Sequence, residues 1–397
     1  MPCLWREELD TKSSWELTTE PRSQVSCPAL HSSITLIIPG ISYVTTDKSD
    51  VEDIKIISIW PGELRGTWKT PTRIAYKREN RNIQSNKWGF EVDPRLISYS
   101  WTKLLLDKNA IAGEYDDPSL SHLSGQGMMQ LPNFRDAAGV CEDFLHEIYL
   151  YVSLKLRQQM STATFDMTPM ECWITLPAIW SEEAKDSTLK AARNAGFGNR
   201  PGDAIYTIAE PEAAAIAALK SYSGSNMLNH VKVRPYTPQL YIIFRCWRIQ
   251  PNEHILICDC GGGTVDITTY TVTRIEPQLD FDELCVGVGK FLSASQDPSR
   301  TPNVTNYWHA DSTGGKCGST YIDRNLHSLL SKRFGMAFDN VPLAKKCPGS
   351  RFMTCFEKLK QDFGLTDNRD DRELSPLNLN IPDSEYYDGE ESIVKLT

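Results

Sequence analysis

The chain has 397 residues, 40% of them hydrophobic and 23% charged, enough apolar material for a sizeable core and against disorder throughout. With 42 lysines and arginines against 51 acids the formal charge is −9, so a broadly basic nucleic-acid surface is not expected. Length alone suggests two or three domains, and the absence of any run of about 18 apolar residues predicts no membrane-spanning helix.

Residues 1–30 are rich in Ser, Thr and Pro, show no periodicity, lack a signal-peptide core and read as a loose tail. Strand-like runs follow, SITLII at 33–38, DIKIISIW at 53–60 and RIAYK at 73–77, and suggest a first sheet of consecutive strands. Residues 136–160 predict a helix, with Val140, Phe144, Ile148, Tyr151 and Leu154 on one stripe. A strand is predicted at 171–176. Ser181 then caps a helix with Glu182 and Glu183 in its first turn and Gly196 at its end. A strand at 204–208 leads to a helix starting at Pro211, a favoured first helical position. This alternation points to an α/β fold. A strand at 254–259 turns through glycines into 265–273 as a hairpin, and helices are expected at 321–334 and 351–363. Residues 365–397 look like an acidic, turn-rich tail. Two stretches, 233–250 and 290–313, break the pattern as long insertions. Their edges, Gln250 and Gly289-Lys290, can be encoded by CAG and GGTAAG, as retained introns would be. The 11 cysteines form no CxxC pair and read as buried thiols of a reducing cytoplasm in preference to a metal site. Cys258 and Cys260 share one face of their strand.

The strongest chemical signal is ILICDCGGGTVDITTY at 255–270. An apolar strand delivers Asp259 to a reversal made by Gly261, Gly262 and Gly263, where backbone N–H groups can converge on phosphate oxygens without Cβ interference. Thr264 adds a hydroxyl, and Asp266 opens the next strand. Asp259 stands where a carboxylate holds a metal-bound water, and backbone donors with a divalent cation are what phosphoryl chemistry needs. A plain glycine hairpin is the competing reading. No GxxxxGK[ST] loop occurs. Upstream, AEPEAAAIAAL at 209–219 sets Glu210 before a helix start; it can face the same metal or water, or simply initiate the helix.

Taken together, DCGGGTVD, AEPEAAAIAAL and ITLPAIWSEEAKDSTLKAARNAGF resemble the nucleotide-binding domain of the heat-shock protein 70 family, of the actin-like ATPase superfamily. WPG at 60–62, KWGFEV at 87–92, ELCVGVG at 283–289 and GGKCGSTYID at 314–323 resemble a divergent fungal branch of it. The resemblance covers about residues 31–363 and implies two ribonuclease-H-like lobes around a nucleotide cleft, 31–225 as lobe I and 226–397 as an incomplete lobe II. It implies ATP and Mg²⁺ as ligands, with Gly261, Gly262, Gly263 and Thr264 cradling the β and γ phosphates. Asp259, acting on the metal through water, and Glu210 would position metal and attacking water. Lys103 in WTKLLLD takes the place of the catalytic lysine, against the default of an exposed surface lysine. Glu357 and Lys360 in FEKLKQDF resemble the adenosine-contacting pair, although i, i+3 spacing on a helix fits an exposed salt pair equally well. Co-chaperones or client proteins would be the macromolecular partners, in the cytoplasm, with no nucleic acid and no membrane.

The family's first phosphate loop, a strand followed by Asp-x-Gly-Thr-Thr, corresponds here to ITLIIPGISYVTTD at 34–47. No acid follows the strand, Pro39 stands in the turn, and only Gly40 remains. Thr45, Thr46 and Asp47 substitute only by a register shift. Impaired hydrolysis is expected, and a non-catalytic interaction module is the alternative. A small-metabolite kinase of the same superfamily ranks third, because the EPEAAA and GGKCGSTYID context argues against it.

Overall fold

The computed structural model describes residues 30–35, 40–45, 53–107, 130–223, 251–275, 280–286, 314–361 and 372–396. β1 (Leu30–Thr35), β2 (Ile41–Thr45) and the short β3 (Lys55–Ile56) form an antiparallel meander. A small antiparallel sheet follows, with β4 (Arg73–Ala75) between β5 (Lys87–Trp88) and β6 (Tyr99–Ser100). Helix α1 (Ala137–Met160) begins where the Asp136 carboxylate accepts the Gly139 N–H at 2.8 Å. The short α2 (Thr162–Met167) leads into β7 (Met170–Leu176). Helix α3 (Glu182–Ala195) starts at Ser181, whose hydroxyl accepts the Ala184 N–H, and stops at Gly196. Gly196 has φ +122°, and a Cβ there would lie 2.7 Å from the Tyr149 ring, so the stop is also a close approach to α1. β8 (Ala204–Ala209) runs directly into α4 (Glu210–Ser223).

β7 lies parallel to β1 and β8 parallel to β7, giving the strand order β3-β2-β1-β7-β8. The sheet is thus mixed, antiparallel over β3-β2-β1 and parallel over β1-β7-β8. Its core joins Ile41 and Tyr43 of β2, Ile174 and Leu176 of β7, and Phe144, Leu145, Ile148, Val152 and Leu156 of α1. The helix stripe thus continues through Val152 and Leu156. Leu154, expected on it, is 51% exposed, because the 3.6-residue repeat carries it round to the outer side.

The second part of the chain opens with β9 (His254–Cys260), β10 (Val265–Arg274) and β11 (Asp280–Val286), a further antiparallel meander. β12 (Gly314–Gly315) pairs with the start of β10. Then come α5 (Ser319–Phe334), α6 (Met336–Asp339), α7 (Leu343–Lys346) and α8 (Arg351–Gln361). A last sheet has β15 (Ile393–Lys395) between β13 (Glu373–Leu374) and β14 (Tyr387–Asp388).

Three expectations need correction. The run at 53–60 is a strand only at Lys55–Ile56, and the partner of β1 is β2, an element the strand-like runs did not include. The run at 73–77 belongs to the separate small sheet, not to the first one. Residues 372–396, expected as an acidic, turn-rich tail, form a packed unit. Leu374, Leu377, Leu379, Tyr387 and Val394 are buried with Leu330, Phe352 and Phe356 of α5 and α8, so the acids decorate the outside of a packed unit. Residues 1–29 and the insertions 233–250 and 290–313 lie outside the described residues. Among the described residues no helix is long and apolar enough to cross a membrane.

Candidate functional site

Residues 261–264 turn β9 into β10, with Cys260 facing Val265 and Asp259 facing Asp266 across the ladder. The Gly261 N–H donates to the Thr264 carbonyl at 2.9 Å. The carbonyls of Gly261, Gly262 and Gly263 accept the N–H groups of Ser319 (3.0 Å), Thr320 (2.9 Å) and Gly318 (3.1 Å) at the start of α5. In a planar trans peptide the C=O of one residue and the N–H of the next point in opposite directions. The N–H groups of Gly262, Gly263 and Thr264 therefore aim away from α5, as a row of three donors. Successive amides arranged this way are an anion-binding nest. The turn and the helix approach so closely that a Cβ on Gly318 would fall 2.6 Å from the Gly261 carbonyl oxygen, which is why glycine stands there.

Four ionisable groups gather around this turn. Lys103, in a 3-10 turn over Thr102–Leu105, is 5% exposed, and its ammonium donates to Glu210 Oε1 at 2.7 Å. The same ammonium lies over the Trp180 ring, 5.0 Å from its centre. Glu210, at the start of α4, is 6% exposed. Lys103 is thus a buried, paired lysine rather than a surface one. Asp259 is half-buried, and its pKa is pushed up to about 6 by burial and then by Glu210, against the pull of Lys69 and Lys103. Asp266 is 1% exposed, and burial, followed by Glu210, pushes it up to about 7. Its Oδ1 accepts the Ala178 N–H at 3.2 Å, while Oδ2 has no hydrogen-bond partner among the described residues. The Thr264 hydroxyl, also buried, stands close enough to pull the Asp266 carboxyl down but outside hydrogen-bond geometry.

Asp266 is the residue the sequence reading undervalued, as a mere strand opener, although it lies inside the glycine motif. Two further residues were not singled out. Lys69 acts on Asp259 and forms an isolated bridge to Gly40, bringing the end of the first hairpin toward the acids. Lys316, inside GGKCG, donates to the Asp107 carbonyl at 2.7 Å and pairs with its carboxylate at 3.0 Å. It ties β12 to the segment carrying Lys103.

The structure brings Lys103, Glu210, Asp259, Thr264 and the three glycines together. Glu357 and Lys360 sit one helix away. Lys360 pairs with Glu357 Oε2 at 2.6 Å and with Asp323 Oδ1 of α5 at 2.8 Å, so it pins α8 to the helix against which the glycine turn packs. The Glu357 side chain is 53% exposed. Of the first-loop residues, Gly40 and Thr45 are described, whereas Pro39, Thr46 and Asp47 lie outside the described residues. Cys258 and Cys260, expected to be buried, are exposed on the outward-facing positions of β9.

The carboxylates and the hydroxyl form an all-oxygen donor set suited to a hard cation. Among the described residues no three His, Cys, Asp or Glu side chains converge to ligate an ion directly. The fit is to a hydrated cation held through its waters, which is the mode Mg²⁺ favours. The unpartnered Asp266 Oδ2 and the half-open Asp259 are the oxygens available for it.

The sheet order and the glycine turn belong to a mixed α/β fold, and the chain is similar to heat-shock 70 kDa and actin-like proteins. Comparison with known proteins adds particular relatives. The chain is 24% identical to heat shock 70 kDa protein 12A of Homo sapiens over 400 residues, a match covering 89% of this chain and 53% of that protein. The Mus musculus protein of the same name gives the same figures. The chain therefore spans about half the length of the curated relatives it matches. Similar solved structures include MreB5 of Spiroplasma citri bound to ADP, with a TM-score of 0.41, 12% identity, and coverage of 87% of this chain and 66% of that one. A non-polymerising mutant of MamK bound to AMPPNP gives a TM-score of 0.30 at 11% identity, covering 87% of this chain and 70% of that one. No protein-family model matches the chain.

Proposed function

We propose that this chain binds ATP together with a hydrated Mg²⁺ ion at the glycine turn, in a cleft between two lobes formed by residues 31–225 and 226–397. The observation that carries the reading is the row of three N–H groups at Gly262, Gly263 and Thr264, set beside the buried Asp266 oxygen that has no partner among the described residues. The amides take phosphate oxygens, and the Thr264 hydroxyl gives a further donor. Asp259 and Asp266 accept hydrogen bonds from the cation's waters, which lowers the cost of holding both acids ionised near neutral pH. Mg²⁺ supplies charge neutralisation of the phosphates when bound. Lys103, fixed by Glu210 and the Trp180 ring, brings positive charge to the same region, and Glu210 orients a water for in-line attack on the γ-phosphate.

Turnover is proposed to be slow. The sequence has no acid and no Gly-Thr-Thr in the first loop, and loss of one preorganised donor alone typically costs ~10²–10³ in rate. A binding protein with little or no hydrolysis is thus the second reading, and the missing first-loop acid favours it. On kinship with the heat shock 70 kDa relatives, the bound nucleotide would govern contacts with co-chaperones or clients in the cytoplasm.

Calorimetry with Mg-ATP on the wild-type chain, Asp259→Ala and Thr264→Ala tests the proposal, with phosphate release followed in parallel. Binding by wild type, weakened in both variants, is expected. Folded wild-type protein that takes up neither ATP nor ADP overturns it. Binding without phosphate release selects the second reading.

A further inference from the structure

β9 alternates strictly along its length, with His254, Leu256, Cys258 and Cys260 exposed and Ile255, Ile257 and Asp259 facing inward. The two cysteines therefore stand side by side on the open face while Asp259, between them, serves the site within. Their sulfurs are 3.6 Å apart, and neither is in a disulfide. A tetrahedral cation with thiolate bonds of about 2.3 Å requires two sulfurs about 3.8 Å apart. The pair meets that requirement without any change of backbone. Strand geometry holds it: the ladder pairs Cys258 with Ile267 and Cys260 with Val265, so the spacing of the two Cβ atoms is fixed before any ligand arrives.

We propose that Cys258 and Cys260 form a bidentate thiolate site for one soft, thiophilic divalent cation. Both thiols reach solvent, so a cation needs no opening of the fold. Thiolate donors select a soft or borderline ion over magnesium or calcium, so this site and the oxygen-lined one on the opposite face do not compete for the same metal. No third His, Cys, Asp or Glu among the described residues completes a closed structural site. Binding is a Lewis acid–base reaction with no change of oxidation state: two S–H bonds are lost, two metal–sulfur bonds form, and two protons leave to buffer.

Cadmium is the probe. Titrated into the reduced full-length chain, it is expected to give thiolate-to-cadmium charge-transfer absorbance saturating at one tight equivalent, with about two protons released per ion. Cys258→Ser and Cys260→Ser should each abolish that tight equivalent, a loss larger than the ~10–100-fold that removal of an outer-sphere partner costs. Cys355→Ser, on α8, should keep it. If either single variant binds as tightly as wild type, or if Cys355→Ser loses the equivalent too, the proposal fails. A readout on unmutated protein guards against misfolding of the variants. Cadmium should protect the peptide carrying residues 258 and 260 from alkylation by iodoacetamide, and unprotected alkylation in saturating cadmium overturns the proposal.

Discussion

Two antiparallel meanders, β1–β2–β3 and β9–β10–β11, are built alike and held differently. The first is extended by the parallel strands β7 and β8 and shares a large core with α1 and α3, where Ile41, Leu145, Ile148 and Ile174 are fully buried. The second shows only antiparallel pairs among the described residues. Leu256 is 62% exposed on its edge strand, and Tyr270 and Ala215 are the buried members of its small apolar cluster. Backbone and charge hold this meander in place: three glycine carbonyls on α5, the Ala178 N–H on Asp266, and Lys316, next to its short partner strand β12, on Asp107. A sheet fixed by its core is indifferent to ligand. One fixed through the atoms of a binding site gains stability whenever that site is filled.

The largest test of this contrast removes the charge that the cluster depends on. Lys103→Ala leaves Glu210 buried beside Asp259 and Asp266 without its 2.7 Å partner. Breaking one side of a buried pair costs about 3–5 kcal/mol, as much as a large core truncation. Urea unfolding of the variant against wild type measures it. A loss below about 1 kcal/mol would show that the acids are solvated and that the cluster does not hold the second meander.

The pH profile follows. Asp259 and Asp266 have folded pKa values of about 6 and about 7, raised from 3.8. Between the unfolded and folded values the native state keeps protons that the unfolded chain has released. Stability of the ligand-free protein therefore falls as pH rises through that window, and levels off above about 7. Urea midpoints at steps from about pH 4 to about pH 8 should show the fall, and the double variant Asp259→Asn, Asp266→Asn should flatten it. A midpoint rising with pH in wild type alone would contradict the burial of these acids.

A smaller effect tests the backbone part. Gly318→Ala puts a methyl 2.6 Å from the Gly261 carbonyl oxygen and about as close to the Gly262 and Gly263 carbonyl carbons. Overpacking of this kind costs about 1–3 kcal/mol. Because the clash is with the turn itself, Mg-ATP affinity should fall along with the unfolding midpoint. A variant that loses stability but binds ATP as wild type does would separate the α5 contact from the site.

Much of this was legible in the chain. The apolar stripe located α1, and the Ser181 cap with the Gly196 stop located α3, each to within a residue, because these signals act on their own neighbours. The glycine motif gave the turn and Asp259 for the same reason. Long-range chemistry was not legible. That Lys103 is buried against Glu210, and that Lys360 reaches Asp323, are facts about residues 107 and 37 positions apart. The packed unit at 372–396 was hidden by its acids, since its inward residues are single leucines, a tyrosine and a valine spaced too irregularly for any period. The exposure of Cys258 and Cys260 depends on how β9 packs against the rest of the chain, which no local pattern encodes.

The smallest expected effect decides between two readings of one side chain. Glu357 pairs with Lys360 at 2.6 Å but is 53% exposed, so solvent screens the pair, and its loss should cost no more than about 1 kcal/mol. Lys360 keeps its Asp323 partner in Glu357→Gln, so α8 stays on α5. If the pair is only a surface bridge, Mg-ATP affinity is unchanged within error. If Glu357 contacts the adenosine, as the family resemblance implies, affinity for ATP falls at unchanged stability while affinity for inorganic triphosphate, which has no nucleoside, stays the same. That second pattern would extend the site from the glycine turn, across α5, to the exposed end of α8, and would make the second half of the chain a nucleoside platform as well as a phosphate cradle.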